Sequence, residues 1–353
     1  MNAAANGRAF VFISRLKEGK VHEMTQNFRE FAQRLDELAS GYTHAKILFT
    51  ANNAGLFDYL ETPTSAEAVA QELGWSQRGT RMLLDGLVGL GLLEKRDGAY
   101  RNAPIASHCL VSSSEGYQGH IIQHKGHGWA AWSRLDEAVA QGAPPAEGSA
   151  EQSEEELRAF ILGMDDGGRL SARDMLERID LTPYRHMLDI GGGPGSYPIA
   201  FLQRHLDMRA TLIDKPNVIE IAREQVAKAE LENRIDFIEG DFLETDLGEG
   251  YDLVLLSNII HMLDYEANAR LVQRCANAMV SGGTVIIKDF IVDDARTGPP
   301  FSLFFALHML VHTEGGDTYR ESDVMEWTRA AGLENGRFVD LTPQTRLWLA
   351  RKP

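Results

Sequence analysis

An acid stands just ahead of a row of glycines at Asp189-Ile-Gly191-Gly-Gly193-Pro-Gly195. Asp214, Asp241, His261 and Asp289 follow it down the chain. Glycines lack β-carbons, so a ligand can lie directly on such a turn. The spacing is G-x-G-x-G, not the G-x-G-x-x-G of dinucleotide folds, and no Gly-Lys-Ser/Thr follows, which excludes a P-loop. A carboxylate at Asp189 repels a pyrophosphate and suits the ammonium of an amino-acid moiety, held directly or through water. An acid placed like Asp214, at the end of the next strand, can take both ribose hydroxyls. His261 offers a general base whose ordinary pKa lies near neutrality, as removal of a hydroxyl proton requires.

These side chains need a scaffold of alternating strands and helices. Met187, Leu188 and Ile190 read as a short buried strand, and Ser196 to Leu206 has helical spacing with Ile199, Leu202 and Leu206 on one face. Ala210 to Ile213 reads as the second strand, Asn217 to Glu230 as a helix, and Arg234 to Asp241 as the third strand and its exit. Tyr251 to Leu256 is a continuous apolar strand that empties into Ser257-Asn-Ile-Ile-His261. Gly282-Gly283 turns into the strand Thr284 to Asp289, and Phe301 to Val311 is an apolar helix ended by Gly315-Gly316. Ser322 is expected to cap a helix to Ala331. The whole is a doubly wound α/β sheet, whose ligands sit outside the carboxyl ends of the strands.

Ahead of the sheet the pattern is helical. Gly7 to Lys20 reads as an extended leader. His22 to Ser40 is an amphipathic helix with Phe28, Phe31, Leu35 and Leu38 on one stripe, Gly41 is expected to break it, and Thr43 to Ala54 forms a second helix. Thr64-Ser-Ala-Glu67 looks like a capping box with Thr64 as N-cap, and Ser76 caps the next helix. Two short strands then flank an Asp97-Gly98 turn. Helix, turn, helix and wing make a winged-helix pattern. Gly116 to Gln141 is a helical segment in which His120, His124 and His127 share one face. The Pro- and Gly-rich stretch Gln141 to Ala150 reads as a linker, and Glu154 to Asp180 as a joining helix.

At 353 residues the chain suits more than one domain. Its 35 basic against 51 acidic residues, a formal charge of −16, argue against nucleic acid as a partner and favour a small-molecule substrate. Two cysteines, Cys109 and Cys275, point to no disulfide framework and to a reducing cytoplasm. No apolar run is long enough to span a bilayer.

The run Asp189-x-Gly191-x-Gly193-x-Gly195, with Asp214 and Asp241 at the next strand exits, closely resembles the signature of class I S-adenosylmethionine (SAM) methyltransferases. The order Gly55-Leu-Phe, capped helix, Leu-Leu-Glu and wing is similar to the dimerisation domain of the caffeate and acetylserotonin O-methyltransferase family, and the resemblance covers nearly the whole chain. It implies a Rossmann-like sheet carrying an N-terminal winged-helix dimerisation domain, with boundaries near 1–115, 116–180 for a helical connector beside the acceptor, and 181–353. It implies SAM as cofactor, a homodimer formed through the N-terminal helices, and no metal.

Asp189, Gly191, Gly193, Gly195, Asp214 and Ser257 are expected to hold the cofactor. In the family Asp241 contacts the adenine amino group and Phe242 lies against the ring. His261 aligns with the family's catalytic His, and Asp289 with the acid that orients it. Acceptor contacts are expected from His124, His127, Trp132, Phe160, Met164, His308, Met309 and His312.

The chain also departs from the plant pattern Lys-Trp-x-x-His-Asp-Trp. Ser257 replaces the Lys, and Met262-Leu263 replace the Asp and Trp. That leaves room for a thioether acceptor, which has no proton to lose, as in bacterial S-methyltransferases of methylthiohydroxybutyrate. The alternative outside enzymes is a SAM-sensing winged-helix regulator. Base-assisted O-methylation at His261 is the leading expectation.

Overall fold

The structure, a computed structural model, describes residues 4–145 and 154–353, with side chains described from Asn27 onward except at 155 and 156. Most of the linker expected at 141–150 therefore lies outside the described residues. The chain divides into two compact units, Met1–Val111 and Ser112–Pro353. No helix among the described residues is long and apolar enough to cross a membrane.

The first unit opens with α1 (Ala4–Asn53), one helix of 50 residues. The extended leader is thus helical, and Gly41 does not end it. A lone glycine costs a helix only about 1 kcal/mol, too little to stop a long one. A 3₁₀ turn (Leu56–Leu60) leads to β1 (Thr64–Ser65), α2 (Ala66–Leu73) and α3 (Gln77–Gly89). Strands β2 (Leu93–Arg96) and β3 (Ala99–Asn102) follow, and α4 (Pro104–Cys109) closes the unit. The cap of α2 is Ser65, which accepts from Ala68 N–H at 3.2 Å, while the Thr64 hydroxyl donates to Thr62 O at 2.9 Å. Ser76 caps α3 by accepting from Gly79 N–H at 3.1 Å. The antiparallel order β1-β3-β2 forms the wing. Asp97 and Gly98, both at positive φ, make its tight turn. On α3, Asp85 collects Arg81 of the same helix with Lys95 and Tyr100 of the wing at 2.7–3.0 Å.

The second unit begins with α5 (Gly119–His127), α6 (Trp129–Trp132), α7 (Leu135–Gln141) and α8 (Glu154–Arg178). The alternating part runs β4 (His186–Ile190), α9 (Ser196–Arg204), β5 (Arg209–Asp214), α10 (Pro216–Lys228), β6 (Ile235–Glu239) and β7 (Tyr251–Ser257). After a second 3₁₀ turn (Ile260–Met262) come α11 (Tyr265–Ala278), β8 (Met279–Asp289), α12 (Pro300–His312) and α13 (Glu321–Ala330). The hairpin β9 (Glu334–Asp340) and β10 (Arg346–Arg351) ends the chain. The cap of α13 is Arg320 with Asp323, not Ser322.

The seven strands take the order β6-β5-β4-β7-β8-β10-β9, with β10 antiparallel to both neighbours. β4 is the first strand laid down. The chain moves to β5 and β6 on one side and then returns to β7 on the other, so the switch point falls at the end of β4. Each face of the sheet carries its own core. Leu188, Ile190, Val254, Leu256, Val285 and Ile287 pack under α11 and α13. Met187, Leu212, Leu253, Leu255 and Ile286 pack under α8, α9 and α10.

Candidate active site

The switch point is built from the glycine turn. Gly191, Gly193 and Gly195 take φ of +60°, +55° and +84°, a region that side chains disfavour. A β-carbon at Gly191 would lie 2.4 Å from Ile259, and one at Gly192 would lie 2.5 Å from Leu212 and 2.7 Å from Asp189 Oδ2. Larger residues would displace the floor of the site. The turn then feeds α9, whose first residue, Ser196, donates its hydroxyl to Asp165 Oδ1 on α8 at 2.6 Å.

Two acids line the turn. Asp189 is 1% exposed, and its Oδ2 has no hydrogen-bond partner among the described residues. Burial, and then the charge of Asp214, hold its carboxyl well above the ordinary range. Asp214 accepts Gly193 N–H at 2.9 Å and Lys215 N–H at 2.8 Å, and burial raises its pKa against those bonds. Both oxygens of Asp214 keep a free lone pair. Asp241 follows β6, exposed, with Oδ1 accepting Leu243 N–H at 2.8 Å. Phe242 packs beside Gly191, 3.5 Å from the place of its missing β-carbon. The Ser257 hydroxyl is shielded from solvent and has no partner among the described residues.

At the next strand exits, His261 Nδ1 lies 2.8 Å from Asp289 Oδ1, with both residues buried. A carboxylate on Nδ1 places the ring proton there and leaves Nε2 a lone pair. Phe290 N–H fixes Asp289 Oδ1 at 2.8 Å, and Asn268 ties the turn carrying His261 by donating to Ile260 O at 2.8 Å. Phe305 meets the imidazole edge-on at 4.9 Å.

Beyond His261 stands a wall of rings from helices distant in sequence. On α12, Phe301, Phe305, His308 and His312 follow one stripe, with His308 and His312 only 4.2 Å apart. Trp132 Nε1–H donates to His308 Nδ1 at 3.2 Å. His124 lies 4.7 Å from Phe160 of α8. Burial first, and then neighbouring His312, lower both His124 and His308 to about 4, so both rings are neutral at pH 7.

The structure therefore brings together His124, Trp132, Phe160, His308 and His312. Met164 is half-buried on α8, and Met309 is buried on α12. His127 is exposed. His120 turns instead to Asp166 of α8, Nδ1 to Oδ1 3.4 Å. Sequence reasoning passes over Phe290, just past β8, and Phe305 of α12, which flank His261, because apolar positions carry no chemical mark. It also passes over Lys288, a charge inside an apolar strand, which was a legible signal.

The chain is similar to known proteins in sequence and in fold. Residues 132–334 match the O-methyltransferase domain and residues 36–112 the O-methyltransferase dimerisation domain. The 3-hydroxy-5-methyl-1-naphthoate 3-O-methyltransferase of Streptomyces sahachiroi is 36% identical over 86% of this chain and 90% of its own length. The acetylserotonin O-methyltransferase of Gallus gallus is 31% identical over 90% of this chain and 96% of its own. The human N-acetylserotonin methyltransferase, solved in complex with SAM, superposes with a TM-score of 0.83 at 28% identity, covering 91% of this chain and 97% of that one.

Proposed function

This chain belongs to the O-methyltransferase family, and we propose on that premise that it transfers the methyl group of SAM to a hydroxyl on a small planar acceptor, with His261 as the base. The residues at the rim fit the cofactor. Asp189 Oδ2 is a buried acceptor without a donor, suited to the α-ammonium of the methionine moiety. Asp214 has lone pairs left for the two ribose hydroxyls, and Asp241 and Phe242 are assigned to the adenine amino group and ring face. Gly191, Gly193, Gly195 and Ser257 keep that surface open. When bound, SAM supplies a methyl group already activated on a sulfonium.

The protein's own part is to position and to move one proton. The ring wall of α5, α6, α8 and α12 orients a flat acceptor so that its hydroxyl meets His261 Nε2. Such positioning supplies much of the rate. Nε2 takes the hydroxyl proton, and Asp289 stabilises the resulting imidazolium across Nδ1. His124, Trp132, Phe160, Met164, His308, Met309 and His312 are assigned to the acceptor, with His127 at its edge. The observation that carries this reading is the buried His261–Asp289 pair of 2.8 Å at the strand exits beside the glycine turn. A thioether has no proton to give, so that pair would be idle in S-methylation. A hydroxyarene such as a hydroxynaphthoate suits the wall.

The chain carries a dimerisation domain. We assign its partner as a second copy, covering the stripe Phe28, Phe31, Leu35, Leu38 and Tyr42 of α1, each more than 60% exposed in the single chain. The free thiols Cys109 and Cys275 suit the cytoplasm. The test is a panel of hydroxyarenes and thioethers offered with methyl-labelled SAM. Label on hydroxyl oxygen supports the reading, and label found on sulfur alone overturns it.

A further inference from the structure

Strand β8 is apolar at Val285, Ile286 and Ile287, and Lys288 then breaks the run. Residues 285 and 287 face the α11–α13 core and Ile286 the opposite one, so Lys288 lies on the face that also carries Asp189 and Asp214. The register pairs Ile190 with Leu256 and Leu256 with Ile287, and Ser257 with Lys288. Lys288 is therefore level with the first glycine of the turn, two strand spacings or about 10 Å away. It is 4% exposed.

The surroundings of this ammonium are incomplete. Among the described residues Nζ donates to Asn258 Oδ1 at 3.0 Å and forms no ion pair. Asn258 is itself held at φ +59°, its N–H donating to Lys288 O at 2.8 Å. An ammonium has three donors, and a neutral amide satisfies one. Beside it the Ser257 hydroxyl is shielded and, among the described residues, without a partner. Buried charges are ordinarily paired, because an unpaired one forfeits its hydration. A cation and an orphan hydroxyl, register partners at the carboxyl rim, call for an anion that the chain does not supply.

We propose that Lys288, with Ser257, seats a carboxylate of a molecule bound at this rim, making it a specificity-determining residue for the reaction. The proposal rests on the reading of the rim as a methyl-transfer site. Two bound molecules can present that group: the methionine moiety of the cofactor, or an acceptor that is a hydroxy acid. Adjacent residues of β8 then divide the work, with Asp289 serving His261 on one face and Lys288 the ligand on the other.

Lys288→Met tests this, because methionine fills the same space without charge. Calorimetry measures S-adenosylhomocysteine and its decarboxylated analogue on both proteins, and 3-hydroxy-1-naphthoate and its carboxamide on their complexes with S-adenosylhomocysteine. A charge-assisted bond to a buried cation is expected to be worth on the order of 10²-fold in affinity. A cofactor seat predicts that Lys288→Met loses this for S-adenosylhomocysteine and not for the decarboxylated analogue. An acceptor seat predicts the loss for the naphthoate and not for the carboxamide. Unchanged affinity in both arms overturns the proposal, as does a variant weakened equally for charged and uncharged ligands. Failure of the wild-type protein to bind S-adenosylhomocysteine at all would instead strike the methyl-transfer reading.

Discussion

The site has two halves built in different ways. On the cofactor side, Asp189, Asp214 and Asp241 stand at or just past the ends of β4, β5 and β6, three neighbours in one sheet and in one stretch of chain. On the acceptor side the rings come from α5, α6, α8 and α12, and the bond from Trp132 to His308 spans 176 residues. The first half presents carboxylates, two of them with pKa values raised by burial. The second presents neutral imidazoles and phenyl faces. A doubly wound sheet dictates where strands end, so ligands held there use a short, local code. The acceptor wall depends on helices whose packing the sheet does not dictate, so its chemistry is free to differ from relative to relative.

Substitutions that act on one half alone sharpen this contrast. The largest effect is expected from His261→Ala, which should lower kcat on the order of 10²- to 10⁴-fold while leaving the affinity for S-adenosylhomocysteine unchanged. Turnover and calorimetry on the same preparation check it, and a parallel loss of affinity would mean the halves are not separable. Asp189→Asn is expected to weaken S-adenosylhomocysteine about 10-fold or more and to raise the Tm of the ligand-free protein. The sign follows from burial, which raises the folded pKa of Asp189 above its unfolded value. The folded state then holds a proton that the unfolded chain releases, so ligand-free stability falls as pH rises from the ordinary carboxylate range toward the raised value. Asn removes that dependence. A ligand-free Tm lowered by Asp189→Asn would break the account of the cofactor half.

The smallest effect concerns the acceptor half. His124 and His308 have folded values of about 4 against an ordinary 6.5. Below about pH 6.5 the unfolded chain takes up protons that the folded state refuses, so stability present above that pH is lost progressively toward pH 4. His308→Phe should flatten this loss by a few °C on the order of what one such histidine contributes, measured as Tm from pH 7.5 to 4.5. Asp189→Asn should instead steepen this acid limb, because it removes an opposing dependence that runs over the same pH range.

Local signals in the chain were misleading where a competing interaction was stronger. Thr64 and Ser65 both have the chemistry of a cap, but the Thr64 hydroxyl donates to Thr62 O at 2.9 Å and Ser65 caps α2. Ser322 has the chemistry of a cap, but Asp323 closes back on Arg320 one turn earlier. Gly41 marks a weak point in α1, not its end. In the site, the spacing of the glycines and the acid at each strand exit were legible because a turn at positive φ and a strand end leave direct marks on residue type. The pairing of His120 with Asp166 and not with the other histidines was not legible, since helical spacing says which residues share a face and not what that face meets.

The sequence by itself determined the strand–turn–helix grammar and the acids at the strand ends, because these follow from local backbone geometry and the alternation of apolar residues, while the candidacy of His261 came from its place past a strand together with the family resemblance. Only the tertiary structure decided that the His261 nitrogen facing Asp289 is Nδ1, that Trp132 hands its N–H to His308, and that Lys288 is buried with no ion pair among the described residues. Those contacts join segments tens to hundreds of residues apart. Their formation depends on how whole helices and strands pack, a global balance of burial and hydrogen bonding that no short stretch of chain encodes.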